Sequence, residues 1–187
     1  DLSSDGRLKF GNSLLFPNLF PYGSYSAVSL FDKAHFVEIG HAAAESYTNS
    51  FINCGQYLAK IKNHDPRAVY MAITQNHLPS AGGSLVHPHL QINADQVAGN
   101  HHRFLMQRAC DYHLSNGRYL FSDYLEREKS EGTRYIGQTG SWEWVAAFAP
   151  EGFFEIWGIL PEITSVRKVK AGDWADLARG VINIQRF

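Results

Sequence analysis

The chain predicts an α+β domain in which an antiparallel sheet is covered by helices. Three observations carry this. Residues 24–31 alternate as a half-buried strand does, with Tyr25, Ala27, Ser29 and Phe31 on one face. The period changes over 40–61, where Ala43, Tyr47, Phe51, Cys54, Leu58 and Ile61 recur at helical spacing. Further on, two apolar strand runs, 142–148 and 154–160, flank a Pro150-Glu151-Gly152 turn.

The other elements follow in order. Residues 10–31 begin as strand and turn: Leu14-Leu15-Phe16 is apolar, and Pro17-Asn18-Leu19-Phe20-Pro21-Tyr22-Gly23 is punctuated by turn formers. The aromatics Phe16, Phe20, Tyr22 and Tyr25 are expected in core and turn packing, with a ring able to stack on a base. The long helix ends at Lys62-Asn63-His64-Asp65-Pro66. Residues 68–74 form an apolar strand, 75–84 a loop, and 86–94 another strand. Pro88 removes a ladder donor there, so an edge position or irregular pairing is expected. Residues 100–131 read as two helical pieces broken near Ser115-Asn116-Gly117, with Leu120, Phe121, Tyr124 and Leu125 as the second piece's stripe. A last helix from 171 sets Trp174, Leu177, Ala178, Val181 and Ile182 on one face. It stops without a Gly or Asn cap, and the chain reads as a piece of a longer polypeptide.

Composition narrows the function classes. At 187 residues and 44% hydrophobic, the chain can bury a real core. A formal net charge of −1 leaves no electrostatic footprint for nucleic acid or an anionic membrane. No apolar run approaches the roughly 18 residues that span a bilayer. The polar opening shows no signal peptide. Cys54 and Cys110 stand far apart with no CxxC, so a disulfide framework is not expected and a cytoplasmic setting is the default.

The chemistry concentrates in Gly82-Gly83-Ser84-Leu85-Val86-His87-Pro88-His89-Leu90-Gln91-Ile92. Strand alternation sends His87, His89 and Gln91 to one side. Gly82, Gly83 and Ser84 form a small loop able to bring N–H groups and a hydroxyl to an anion. Imidazole is a nucleophile that titrates near neutral pH. A nucleophilic nitrogen beside a phosphate-sized cradle points to chemistry at phosphorus. Asn76 and Gln91 taken singly are ordinary turn and strand residues, and two histidines at i, i+2 are not rare. Their value lies in the constellation.

The stretch Asn76-x5-Gly82-Gly83-Ser84-x2-His87-Pro88-His89-x-Gln91 resembles the active-site signature of galactose-1-phosphate uridylyltransferases. These form the nucleotidyltransferase branch of the histidine-triad superfamily. Hydrolases of that superfamily usually carry His where Gln91 stands, so Gln91 favours transfer or phosphorolysis. The resemblance implies a histidine-triad-like antiparallel sheet covered by helices. Residues 1–140 would be the catalytic repeat and 141–187, opening at Trp142-Glu143-Trp144-Val145, the start of a second repeat. It implies His89 as the nucleophile on a UDP-sugar, taking up UMP and passing it to a hexose 1-phosphate. Asn76, Gly82, Gly83, Ser84 and Gln91 would hold the phosphate. A backbone carbonyl of the motif would fix the tautomer of His89. His87 would bind a structural zinc with an upstream His, here His35 from Asp32-x2-His35, while His41 is a rival. The family's cysteine pair is absent from this chain, which puts zinc in question. A homodimer is implied as well. Two alternatives stand: a phosphorylase of a nucleoside-diphosphate sugar or dinucleoside polyphosphate, and a nucleotide-binding module without turnover.

Overall fold

A computed structural model describes residues 6–83 and 85–186. Its chain folds into two compact units, one made of residues up to Val97 together with those from Val169, the other of Ala98–Lys168.

The first unit holds β1 (Leu8–Phe10), β2 (Ser13–Pro17), β3 (Tyr25–Leu30), α1 (Ala44–His64), β4 (Tyr70–Thr74), β5 (His89–Asp95) and α4 (Ala171–Gln185). Its five strands are antiparallel, in the order β1-β2-β3-β5-β4. The β1–β2 hairpin turns on Gly11-Asn12, with Gly11 at φ +55° and no room for a Cβ beside the Asn49 amide. Glycine at the first central position is what a two-residue type II′ turn requires.

The helical stripe read from the sequence is the one that is buried: Tyr47, Phe51, Cys54, Leu58 and Ile61. Leu15, Ala27, Leu90 and Ile92 are buried in the sheet. A polar seam runs between helix and strands. Ser13 and Ser29 share a hydrogen bond of 3.0 Å, Ser29 and Ser50 one of 2.9 Å, and the Asn53 amide donates to Ser13 Oγ at 3.3 Å. These four side chains are fully buried, so each hydrogen bond offsets a desolvation cost that would otherwise stand unpaid. Cys54 lies on the same stripe, and burial pushes its thiol up to about 12, in keeping with a core role. The α4 helix lays Trp174 on Phe51 with centroids 5.6 Å apart and planes 8° from parallel. At the other end of β5, the Asp95 carboxylate accepts from Ser24 N–H and Ser24 Oγ, both at 3.1 Å. The backbone N–H donors of Ser24 and Gln96 hold that carboxyl below its ordinary range.

The second unit holds α2 (Asn100–Asn116), α3 (Leu120–Glu131), β6 (Tyr135–Thr139), β7 (Trp142–Ala146) and β8 (Ile156–Ile159). Its three strands are antiparallel in sequence order. Leu125, Val145 and Ile159 form its core, with Phe121, Tyr124, Tyr135 and Trp157 against them. The break between α2 and α3 falls at Gly117, in the left-handed region at φ +68°.

Three features differ from expectation. Pro88 does not sit inside an edge strand. It precedes β5, which lies in the sheet interior between β3 and β4, and its carbonyl accepts from Phe31 N–H at 3.1 Å. Starting the strand one residue after the proline leaves the ladder intact. Phe20 and Tyr22 are exposed and belong to no core. Strand β6 has no clear periodic signal in the sequence, because its apolar Ile136 lies on the exposed face and Gly137, beside a register shift, offers no side chain. Strands β6 and β7 form a hairpin, and α4 packs on α1 within the first unit. Among the described residues, no helix is long and apolar enough to cross a membrane.

Candidate active site on strand β5

Strand β5 sorts its side chains strictly by parity. Leu90, Ile92 and Ala94 are buried on the α1 side. His89, Gln91 and Asn93 alternate with them and share the opposite face. Cross-strand pairing then assembles two rows on that face. His89 pairs with Leu30, which pairs with Leu14. Gln91 pairs with Val28 and Thr74, and Val28 with Phe16. The neighbours Leu14, Leu30 and Val28 were not singled out by motif reasoning; the alternation of β2 and β3 is the signal that places them there. Phe16 is the ring beside the Gln91 row, the one member of its aromatic run set in that row.

His89 is 4% exposed, and its Nδ1 lies 2.7 Å from the carbonyl oxygen of His87. A carbonyl only accepts, so Nδ1 carries the proton and donates. In the neutral ring, Nε2 is therefore the lone-pair nitrogen. The tautomer follows from this one contact, and it is the nucleophilic one.

The residue two positions upstream is anchored differently. His87 Nε2 lies 3.0 Å from the carbonyl oxygen of Asp32, to which it donates. Its ring meets that of His35 edge-on, with centroids 5.1 Å apart. His41, the rival, turns elsewhere: its Nδ1 lies 3.1 Å from Ile39 O and 3.7 Å from the Glu38 carboxylate. The structure thus brings His35 and His87 together.

Two imidazoles do not make a structural zinc site, which takes about four ligands. Among the described residues, no cluster of three or more His, Cys, Asp or Glu is placed to hold a metal. His87 spends Nε2 on Asp32, which leaves Nδ1 as its one nitrogen able to bind an ion. The residues present do not fit the metal.

The loop after β4 is built by its glycines. A 3-10 turn, Pro79–Ala81, closes at Gly82, whose φ is +82°. Gly82 N–H donates to Pro79 O at 2.9 Å and Gly83 N–H to Leu78 O at 3.1 Å. A Cβ on Gly83 would stand 2.9 Å from Leu78 O and 3.0 Å from Asn76 O, both backbone atoms. Here the structure departs from expectation. The two N–H groups are spent closing the turn, so the glycines shape the loop and do not present an open anion cradle. Asn76 is exposed two residues past the end of β4, with its amide beside Gly82. Ser84 lies outside the described residues.

A cavity of about 370 Å³ is lined by Leu15, Asn18, Tyr25, Tyr57 and His64 among others. It lies at the Tyr25 end of β3, whereas His89 pairs with Leu30 at the other end. It does not include the His89 site.

No family model matches the chain. An uncharacterised protein of Archaeoglobus fulgidus is 34% identical over 184 residues, 98% of this chain and 54% of that protein. The chain thus spans about half the length of the curated relative it matches. A uridylyltransferase structure superposes with a TM-score of 0.81 at 19% identity, over 92% of this chain and 60% of that one. The crystal structure of an ADP-glucose phosphorylase from Arabidopsis thaliana, with ADP-glucose bound, gives a TM-score of 0.80 at 18% identity, over 96% and 64%. The chain therefore has the α+β fold of the uridylyltransferase and ADP-glucose phosphorylase structures, the fold that the resemblance to galactose-1-phosphate uridylyltransferases implied.

Proposed function

We propose that this chain carries the nucleophilic half-site of a nucleotidyltransferase acting on a nucleoside-diphosphate sugar through a covalent nucleotidyl-His89. The observation that carries the reading is the 2.7 Å contact from His89 Nδ1 to the His87 carbonyl, which leaves Nε2 as the nucleophile. In the first half-reaction Nε2 attacks the α-phosphorus. An N–P bond forms, the P–O bond to the sugar phosphate breaks, and the electron pair leaves on the sugar 1-phosphate. In the second, an oxygen of an incoming hexose 1-phosphate attacks phosphorus and His89 departs with the N–P electrons. Gln91, on the same face of β5, donates an amide N–H to the phosphate oxygen that gains charge. Asn76 serves the same end from the β4 side, with Ser84. UDP-glucose is the donor that the motif resemblance favours. A homodimer, a cytoplasmic setting and a second repeat opening at Trp142 belong to the same reading.

The bound ADP-glucose of the phosphorylase structure favours a second reading. Inorganic phosphate would then be the acceptor in the second step, with the same nitrogen as nucleophile.

Intact-protein mass spectrometry after mixing with UDP-glucose, or with ADP-glucose, tests both. The expected result is an acid-labile adduct of one nucleotidyl group, absent in His89→Ala. Discharge by a hexose 1-phosphate supports the transferase; discharge by phosphate supports the phosphorylase. Binding of either nucleotide sugar without an adduct would overturn both and leave a binding module.

The loop gives a separate expectation. Gly83→Ala forces the Leu78 and Asn76 carbonyls apart and moves Asn76. Adduct formation should slow by about 10- to 100-fold, the scale of a misplaced substrate contact. The melting temperature should fall by a few degrees as well, because Gly83 is buried and its new Cβ presses on two backbone carbonyls. Parallel rate and melting measurements check this.

A further inference from the structure

The loop after β3 grips the His-Pro-His segment at two consecutive points. Phe31 N–H donates to the Pro88 carbonyl at 3.1 Å, and the Asp32 carbonyl accepts from His87 Nε2 at 3.0 Å. The shape of that loop is held by the Asp32 side chain. One carboxylate oxygen accepts from Ala34 N–H and the other from Ser46 Oγ, both at 2.7 Å. Ser46 is buried in the first turn of α1. A continuous path of hydrogen bonds therefore runs from α1 through Asp32 to the His87 ring. From the carbonyl of His87 it continues to Nδ1 of His89.

We propose that His87 is a positioning residue in this chain: its ring, tied to the Asp32 carbonyl, aims its own carbonyl at His89 and so selects the nucleophilic tautomer. The inference rests on the nucleotidyl-transfer reading of His89. It assigns the first histidine of the motif a hydrogen-bonding task, carried by Nε2, that needs no metal. The physical argument is one of backbone freedom. The carbonyl of His87 sits just before a proline, outside the ladder of β5, so strand pairing does not orient it. The ring tie on one side and the Phe31–Pro88 bond on the other fix that peptide. With the tie removed, the carbonyl turns away. Nδ1 of His89 loses its acceptor, and the proton is free to move to the nitrogen that must attack.

The test separates donor from ligand. In His87→Gln the amide N–H stands near the position of Nε2 and keeps the bond to Asp32, but the imidazole ligand is gone. His87→Ala loses both. Ser46→Ala loosens the Asp32 carboxylate without touching the motif. The readouts are long-range proton–nitrogen NMR of the His89 ring in the full chain, rate of adduct formation with UDP-glucose or ADP-glucose, and zinc content by elemental analysis. Circular dichroism reports folding for each variant. We expect His89 to hold its proton on Nδ1 in wild type and His87→Gln. It should lose that preference in His87→Ala and, in part, in Ser46→Ala. Adduct formation should fall about 10- to 100-fold in His87→Ala, and His87→Gln should recover most of it. Two results would overturn the proposal: a His89 tautomer unchanged in folded His87→Ala, or His87→Gln as impaired as His87→Ala with stoichiometric zinc lost from both. The NMR readout needs no turnover. If wild type forms no adduct, the reading of function fails while the tautomer still decides the positioning role.

Discussion

Replacing His89 by glycine is expected to slow nucleotidyl transfer by about 10³-fold or more, because it removes the atom that forms the new bond. The cost exceeds that of any phosphate contact. Losing one donor to the transferring group weakens stabilisation of developing charge, typically by ~10²- to 10³-fold. Losing the nucleophile removes the two-step route itself. The glycine leaves a space the size of an imidazole at a buried position. Added imidazole should enter it and restore part of the rate, without leaving a nucleotidyl group on the protein. His89 is 4% exposed in β5, so the substitution also tests stability. Its ladder partner on β3, Leu30, is held by backbone bonds that glycine keeps. The melting temperature should fall by a few degrees without loss of fold. A steady-state assay with and without imidazole, beside a melting curve, checks both. A variant that is folded and retains wild-type turnover would end the covalent reading.

Arg134→Ala is expected to destabilise the second compact unit, because it strands the buried carboxylate of Glu128. Glu128 is 2% exposed on α3. Arg134 Nε and Nη2 both donate to its Oε1, at 2.9 and 2.8 Å. The guanidinium also lies over Phe148, 4.9 Å from the ring centroid. Truncating the arginine takes away the counter-charge and leaves the carboxylate in a small core of Leu125, Val145 and Ile159. Glu128→Leu combined with Arg134→Met should recover most of the loss, since an apolar pair carries no such desolvation cost. Hydrogen exchange of the β6–β8 amides is the suitable probe, because a chain of two units need not unfold in one step. Protection unchanged from wild type would mean that solvent, not Arg134, compensates Glu128.

Local pattern made much of this chain legible. The spacing of Tyr47, Phe51, Cys54, Leu58 and Ile61 foretold which face of α1 is buried, because helical periodicity alone decides which side chains share a face. Parity did the same for β5, setting His89 and Gln91 together against Leu90 and Ile92. The spacing of the motif pointed to the fold before any coordinates. Strand β6 was not legible, since its burial alternates but the apolar Ile136 faces outward and Gly137 has no side chain to mark a face. Phe20 and Tyr22 misled for the opposite reason: apolar character is local, but whether a neighbour covers it is not.

By itself, then, the sequence determined most of the elements, their buried faces and the closeness of His87, His89 and Gln91. Only the tertiary structure decided that β5 is an interior strand, that the N–H groups of Gly82 and Gly83 close their own turn, and that His87 reaches Asp32. Periodicity and propensity act over a few residues. A ring nitrogen meeting a carbonyl 55 positions away depends on how the whole chain returns on itself, and that is settled by packing α1 and β3 against β5.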